Sequence, residues 1–247
     1  MSGGNPACVI PLDSWLEDDL MLSISKINSV AETAFFILKD DTILLRWFTP
    51  EIEMDLCGHA TLATAHCLNS ILNHPNKSIR FETKSGEITV DFKDDKYHMD
   101  FPTRIPLKSD LPKLISKSLN LKPLEVYKSR DYLLIYDSEE DIKKIKINTN
   151  YFNQINLDPG GVVVTAKGTN SDFVSRYFTP QSTILEDPAT GSSHCSLIPF
   201  WSKRLNKNHL SSVQLSKRIG EFECINHSKR VTVIGSAVNY SKTTITI

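Results

Sequence analysis

The chain has 247 residues, and 28 Lys and Arg against 29 Asp and Glu leave a net charge of −1. That balance gives no electrostatic footprint for nucleic acid or an anionic membrane surface, and no apolar run is long enough to cross a bilayer. With 40% hydrophobic and 23% charged residues, the composition is that of a globular protein able to bury one large core or two small ones.

The first residues, Met1-Ser2-Gly3-Gly4-Asn5-Pro6, lack the basic and apolar regions of a secretory signal. Cys8, Cys57, Cys67, Cys195 and Cys224 are odd in number and scattered. Both features point to reduced thiols in the cytoplasm rather than to a disulfide framework.

Gly4-Asn5-Pro6-Ala7 reads as a turn feeding a strand over Cys8–Leu12. Ser14-Trp15-Leu16-Glu17 has the spacing of a capping box, and the helix behind it carries Leu16, Leu20, Ile24 and Ile27 on one expected buried face. Strands are expected over Val30–Leu38 and Ile43–Phe48, joined by a turn at Asp40-Asp41. Gly58–Leu72 reads as a helix that is apolar or small on nearly every side, hence buried on most of them. Strands Ser78–Thr83, Glu87–Phe92 and Tyr97–Phe101 follow, so antiparallel strands wrap a central helix.

Two prolines in Phe101-Pro102-Thr103-Arg104-Ile105-Pro106 interrupt helix and sheet alike and mark a division. Residues 1–101 form one half, with a strand over 240–247 available to complete it, and 107–239 form the other. In this second half a helix is expected over Pro112–Ser118, strands near Leu124–Lys128 and Tyr132–Tyr136, and a helix from Ser138. Strands Val162–Ala166 and Phe173–Phe178 lead to a buried helix opening at Gly191, which Pro199 should bend or shorten. Closing strands lie near Val213–Ser216, Gly220–Cys224, Val231–Val238 and Thr243–Ile247.

The halves share a motif. Arg46-Trp47-Phe48-Thr49-Pro50 precedes Asp55-Leu56-Cys57-Gly58-His59-Ala60-Thr61, and Arg176-Tyr177-Phe178-Thr179-Pro180 precedes Glu186-Asp187-Pro188-Ala189-Thr190-Gly191-Ser192. The second copy is three residues longer between its arginine and its glycine. Strand, turn and glycine-opened helix recur in order, which indicates a duplicated domain rather than a chance turn.

Both glycine openings suit anion binding, because the first backbone N–H groups of a helix lack partners; Gly58, Gly191 and Ser192 are the candidates. Glu32 sits in an apolar strand. Buried, it would have the raised pKa of a general acid/base; by alternation it could equally face solvent. His59, at a helix N-terminus, reads either as a donor to a developing oxyanion or as a capping histidine. Asp187 either pairs with it across the halves or caps the second helix. Cys57 has a helix N-terminus to lower its pKa but no evident general base. Cys57, His59, His66 and Cys67 are zinc-ligand types without a zinc-ligand spacing, so no metal is expected.

Gly4-Asn5-Pro6-Ala7, Glu32-Thr33, Asp55 to Thr61 and Asp187 to Ser192 together resemble the phenazine-biosynthesis PhzF-like family over nearly the whole chain. The resemblance implies an α+β, diaminopimelate-epimerase-like fold: two similar halves, each a mostly antiparallel β-barrel around a central α-helix, with the active site between them. It implies isomerase chemistry without metal or organic cofactor on a small carboxylate-bearing molecule, and a homodimer. Glu32 matches the family's general acid/base, His59 and Asp187 match polar residues of the cleft, and Gly58, Gly191 and Ser192 match the helix openings that hold substrate. Ala31 stands where the family usually has serine, and a strand expected before the Gly-Asn-Pro turn has only three residues ahead of Gly4. Amino-acid racemases and epimerases of this fold typically use a cysteine at each helix opening; here Cys57 occupies the first opening and Thr190, a poor base, the matching position of the second, which disfavours that chemistry. A protein that kept the fold for binding alone is the remaining alternative.

Overall fold

A computed structural model describes residues 3–39, 42–157 and 160–245. Its strand pairing repeats the duplication visible in the motifs. The first half runs β1 (Ala7–Leu12), α1 (Asp18–Asn28), β2 (Glu32–Lys39), β3 (Thr42–Phe48), β4 (Glu53–Met54), α2 (Gly58–Ser70), β5 (Ser78–Thr83), β6 (Gly86–Lys93) and β7 (Lys96–Pro102). The second opens with β8 (Leu107–Lys108), α3 (Lys113–Ser118), β9 (Glu125–Lys128), β10 (Tyr132–Ile135), α4 (Glu139–Lys144) and α5 (Thr149–Phe152). It continues with β11 (Val162–Lys167), β12 (Phe173–Phe178), β13 (Glu186–Asp187), α6 (His194–Leu205), β14 (His209–Gln214), β15 (Gly220–Asn226) and β16 (Arg230–Gly235).

In the first half β1 and β2 are parallel, β2 and β3 antiparallel, and β3 and β5 parallel. In the second, β10 and β11 are parallel, β11 and β12 antiparallel, and β12 and β14 parallel. Both halves then close with two antiparallel hairpin steps, β5-β6-β7 and β14-β15-β16. The motif arginines match to the atom. Arg46 grips Glu53 and Arg176 grips Glu186, each through Nε and Nη2 at 2.7 and 2.9 Å. Such two-pronged pairing pins the short β4 and β13 to their neighbours.

β16 pairs antiparallel with β7, setting Val231 beside Phe101 and Val233 beside Met99, so one sheet path runs through both halves. The main core cluster does the same, joining Trp47, Phe81 and Leu68 to Phe173, Leu197 and Trp201. A second cluster lies under α3, α4 and α5, and a smaller one packs α1 on β2 and β3 through Met21, Ile24, Phe35 and Phe48.

Several expectations are corrected. Ser14 caps nothing: α1 begins at Asp18 behind Glu17, whose side chain makes no cap bond. The later start rotates the buried stripe to Met21, Ile24 and Ser25, leaving Leu20 40% and Ile27 82% exposed. Pro199 does not shorten α6. The carbonyl of Cys195, which its missing N–H would have bonded, accepts the Arg104 N–H at 2.9 Å. No strand forms over 236–245, and residues 246–247 lie outside the described part; the place beside β7 belongs to β16. The expected Asp40-Asp41 turn also lies outside the described residues. β7 ends at Pro102 and residues 103–106 form neither helix nor strand before β8, and β1 pairs only with β2 among the described residues.

Candidate active site

The two glycine openings meet. A Cβ on Gly58 would lie 2.7 Å from the Gly191 Cα, and one on Gly191 would lie 2.9 Å from the Gly58 Cα. Only hydrogen side chains permit that approach. α2 starts directly at Gly58, whereas Gly191–Ser193 make one 3-10 turn that runs into α6. Neither Cys57 nor Thr190 spends its side chain capping these turns.

Glu32, His59 and Asp187 come together around this contact. Glu32 is the first residue of β2, His59 the second of α2 and Asp187 the last of β13. The His59 Nε2 is 3.1 Å from Glu32 Oε2, with both side chains largely buried. The ion-pair distance is short, yet the angles do not complete a hydrogen bond, and neither atom has a hydrogen-bond partner among the described residues. Asn5 Nδ2 lies 2.6 Å from Asp187 Oδ1, 3.1 Å from His59 Nδ1 and 3.4 Å from the Ala189 carbonyl. Thr190 Oγ1 donates to Asp187 Oδ2. Buried Gln214 clamps the same loop: its Nε2 donates to the Asp187 carbonyl at 2.6 Å, and its Oε1 accepts the Thr190 N–H at 2.8 Å.

The electrostatics follow from burial and crowding. Burial, then the charge of Glu32, push the Asp187 carboxyl up; His59, Thr190 and Asn5 oppose without prevailing. Burial and Glu32 likewise raise the Cys57 thiol, so the helix N-terminus does not produce the lowered pKa anticipated for it. Burial pulls His59 down, but ionised Cys57 and Glu32 together would lift it well above an ordinary imidazole. Cys57 contributes to that lift only as a thiolate, a form its own burial disfavours.

Ser192 is held from outside the expected set. Arg130 Nη2 donates to Ser192 Oγ at 3.2 Å, and Arg130 Nη1 donates to Asp55 Oδ1 at 2.9 Å. Arg104 reaches the other Asp55 oxygen at 2.7 Å. Burial alone would raise Asp55, but the two guanidinium groups hold it below the usual carboxylate range.

A cavity of about 210 Å³ opens on this cluster. Its lips are the two turns that follow the Arg-x-Phe-Thr-Pro motifs, Thr49–Ile52 and Thr179–Ile184. They touch: Glu51 Oε1 accepts from Thr183 Oγ1 at 2.8 Å and from the Thr183 N–H at 3.3 Å. Buried Ala31 lines the wall and offers no hydroxyl.

Glu32, Cys57 and His59 place potential metal-ligating atoms within 4.8 Å of one another. They do not converge well on an ion, since Cys57 Sγ faces His59 Nδ1 at 3.7 Å while Glu32 faces Nε2. His66, the other histidine considered, bonds the Tyr97 hydroxyl instead.

Asn5, Gln214 and Arg130 were not anticipated as site residues. Asn5 lies within the Gly-Asn-Pro turn, so the residue was visible but its partner, 182 positions away, was not. Gln214 ends a strand that already carries His209, Ser211 and Ser212, so nothing local set it apart.

The family model described as phenazine biosynthesis-like protein matches residues 1–243. A Pseudomonas aeruginosa protein named as an uncharacterized isomerase is 42% identical over 98% of this chain and 93% of its own. A similarly named isomerase from Halalkalibacterium halodurans is 41% identical over 95% of this chain and 90% of its own. The crystal structure of a PhzF family protein from Enterococcus faecalis superposes with a TM-score of 0.88 at 40% identity, covering 97% of this chain and 92% of that one. On the fold, on the glycine openings that meet at its centre and on these matches, the chain belongs to the phenazine-biosynthesis PhzF-like family and is an enzyme of the isomerase class.

Proposed function

We propose that the protein is a cofactor-independent isomerase that moves a proton between carbons of a small carboxylate-bearing metabolite, with Glu32 as general acid/base in the cleft between its halves. We place those halves at 1–101 and 107–239. The observation carrying this reading is the unsatisfied pair, Glu32 Oε2 and His59 Nε2, on a cavity where two helix openings abut. Buried polar atoms without partners are costly, and a bound substrate would supply them.

In this reading Glu32 takes a proton from a carbon beside a carbonyl or carboxylate group. Negative charge then builds on the substrate oxygen. The first N–H groups at Gly58 and Gly191, with the Ser192 hydroxyl, stabilise it as preorganised dipoles. Glu32 and His59 return the proton to the second carbon, and Asp187 orients the polar end of the substrate. None of these steps calls on a group from outside the chain. A two-thiol racemase fits less well: Thr190 faces Cys57 across the openings, and its hydroxyl already donates to Asp187. The cytoplasm and a homodimer belong to the same reading, the first supported by five unpaired cysteines.

A thermal-shift screen of small carboxylates tests the site. A ligand that binds only the folded state raises its stability, so at least one carboxylate should raise Tm in wild type and in Glu32→Gln, which keeps the cavity. No shift with any of them in a well-folded sample would favour a cleft that no longer serves catalysis.

A further inference from the structure

We infer that Asn5 is a positioning residue that fixes the tautomer of His59, leaving Nδ1 bare and placing the ring proton on Nε2, the nitrogen nearer Glu32 and without a partner among the described residues. The inference rests on the isomerase reading above, because His59 acts there through Nε2.

The assignment follows from which partners can only accept. The Asn5 atom facing His59 also lies 2.6 Å from Asp187 Oδ1 and 3.4 Å from the Ala189 carbonyl. A carbonyl oxygen never donates, and a carboxylate does not either, so the amide atom there is the nitrogen. Its two hydrogens go to the two nearest acceptors, Asp187 and His59 Nδ1 at 3.1 Å. A nitrogen that accepts carries no proton, and the neutral ring's hydrogen therefore sits on Nε2. Protonating the ring would put Nδ1–H against Asn5 N–H. That clash, together with burial, opposes the lift from Glu32, to which buried Cys57 as a neutral thiol adds nothing, and the tautomer inferred is that of the neutral ring.

Asn5 is itself aimed by the opposite half. Gly4 adopts a left-handed φ of +74° with open space around it, a conformation that suits glycine. Its N–H donates to the Ile219 carbonyl at 3.3 Å, and Arg218 Nε donates to the Gly4 carbonyl at 2.8 Å. One short turn from the start of the chain is thus anchored on the second half while it orients a histidine of the first and an aspartate of the second.

The test is 15N NMR of histidine side chains, with His59 picked out of seven histidines by its loss in His59→Gln. Near neutral pH, wild-type His59 should show a bare Nδ1 and a protonated Nε2. Asn5→Asp puts an acceptor opposite Nδ1 and should move that nitrogen to the protonated pattern. Solvent deuterium exchange into a bound substrate should fall about 10²-fold in that variant, the scale of a misplaced acid/base group. A wild-type His59 carrying a proton on Nδ1 would overturn the inference even if Asn5→Asp fails to fold. So would a pattern identical in wild type and a folded Asn5→Asp. The NMR readout does not require turnover, so a wrong isomerase reading would show separately, as absence of exchange in wild type.

Discussion

His194 shows how one side chain responds to being sealed in. It is fully buried, accepts from Ser212 at Nε2 (2.8 Å) and donates from Nδ1 to the Thr190 carbonyl (3.0 Å), in contact with Phe222. Burial pushes its pKa down from the ordinary 6.5 to about 4. The unfolded chain therefore binds a proton between those values that the folded chain refuses. Stability from this group is complete above pH 6.5 and is lost as pH falls toward 4, by about 3 kcal/mol. Urea unfolding at pH 7 and pH 4.5 should show His194→Gln losing less stability on acidification than wild type; equal losses would remove His194 as the cause. At the same scale the sequence was partly legible. Glu32, His59 and Asp187 could be named as chemistry-bearing types, whereas the hold of Asn5 on His59 and Asp187, of Gln214 on the Asp187 loop and of Arg130 on Ser192 depends on contacts between distant positions.

The two helix openings set the next scale. The glycines were legible because small residues at a helix start are a local signal. Their mutual contact was not, since it arises only when the halves dock. Adding one methyl at either site places it under 3 Å from backbone that cannot rotate away. Gly58→Ala and Gly191→Ala should each cost about 1–3 kcal/mol and abolish carboxylate-induced thermal shifts, measured by thermal unfolding with and without ligand. α1 is the element the sequence misplaced. Ser14 and Glu17 have capping-box spacing, but Asp18 and Asp19 occupy the first turn, where acidic groups favour the positive end of the helix dipole. Asp18 is also bound by Arg46 at 2.9 Å, a tertiary contact that local spacing does not reveal.

At the scale of the whole molecule, duplication explains the architecture: two similar strand sequences, two bidentate arginine pairs and two motif turns that become the two lips of one cavity. Repetition along the chain made this legible. The join through β7 and β16 was not, because both candidate closing strands alternate similarly and only pairing chooses between them. The Glu51–Thr183 contact spans the lips in the open, where hydrogen bonds contribute about 1 kcal/mol or less net. Glu51→Ala should leave Tm nearly unchanged while speeding release of a bound carboxylate by up to about tenfold, followed by stopped-flow displacement. Unchanged release would mean that the lips do not hold ligand.

The central claim is that Glu32 moves a proton on a carbon of a bound carboxylate. Incubating a carboxylate that raises Tm with the protein in deuterium oxide, then reading the label by mass spectrometry, tests it most directly. Wild type should place deuterium on a carbon of the ligand, and Glu32→Gln, still binding it, should lose that exchange by about 10²-fold or more. Equal carbon labelling by wild type and a folded, ligand-binding Glu32→Gln would contradict the account.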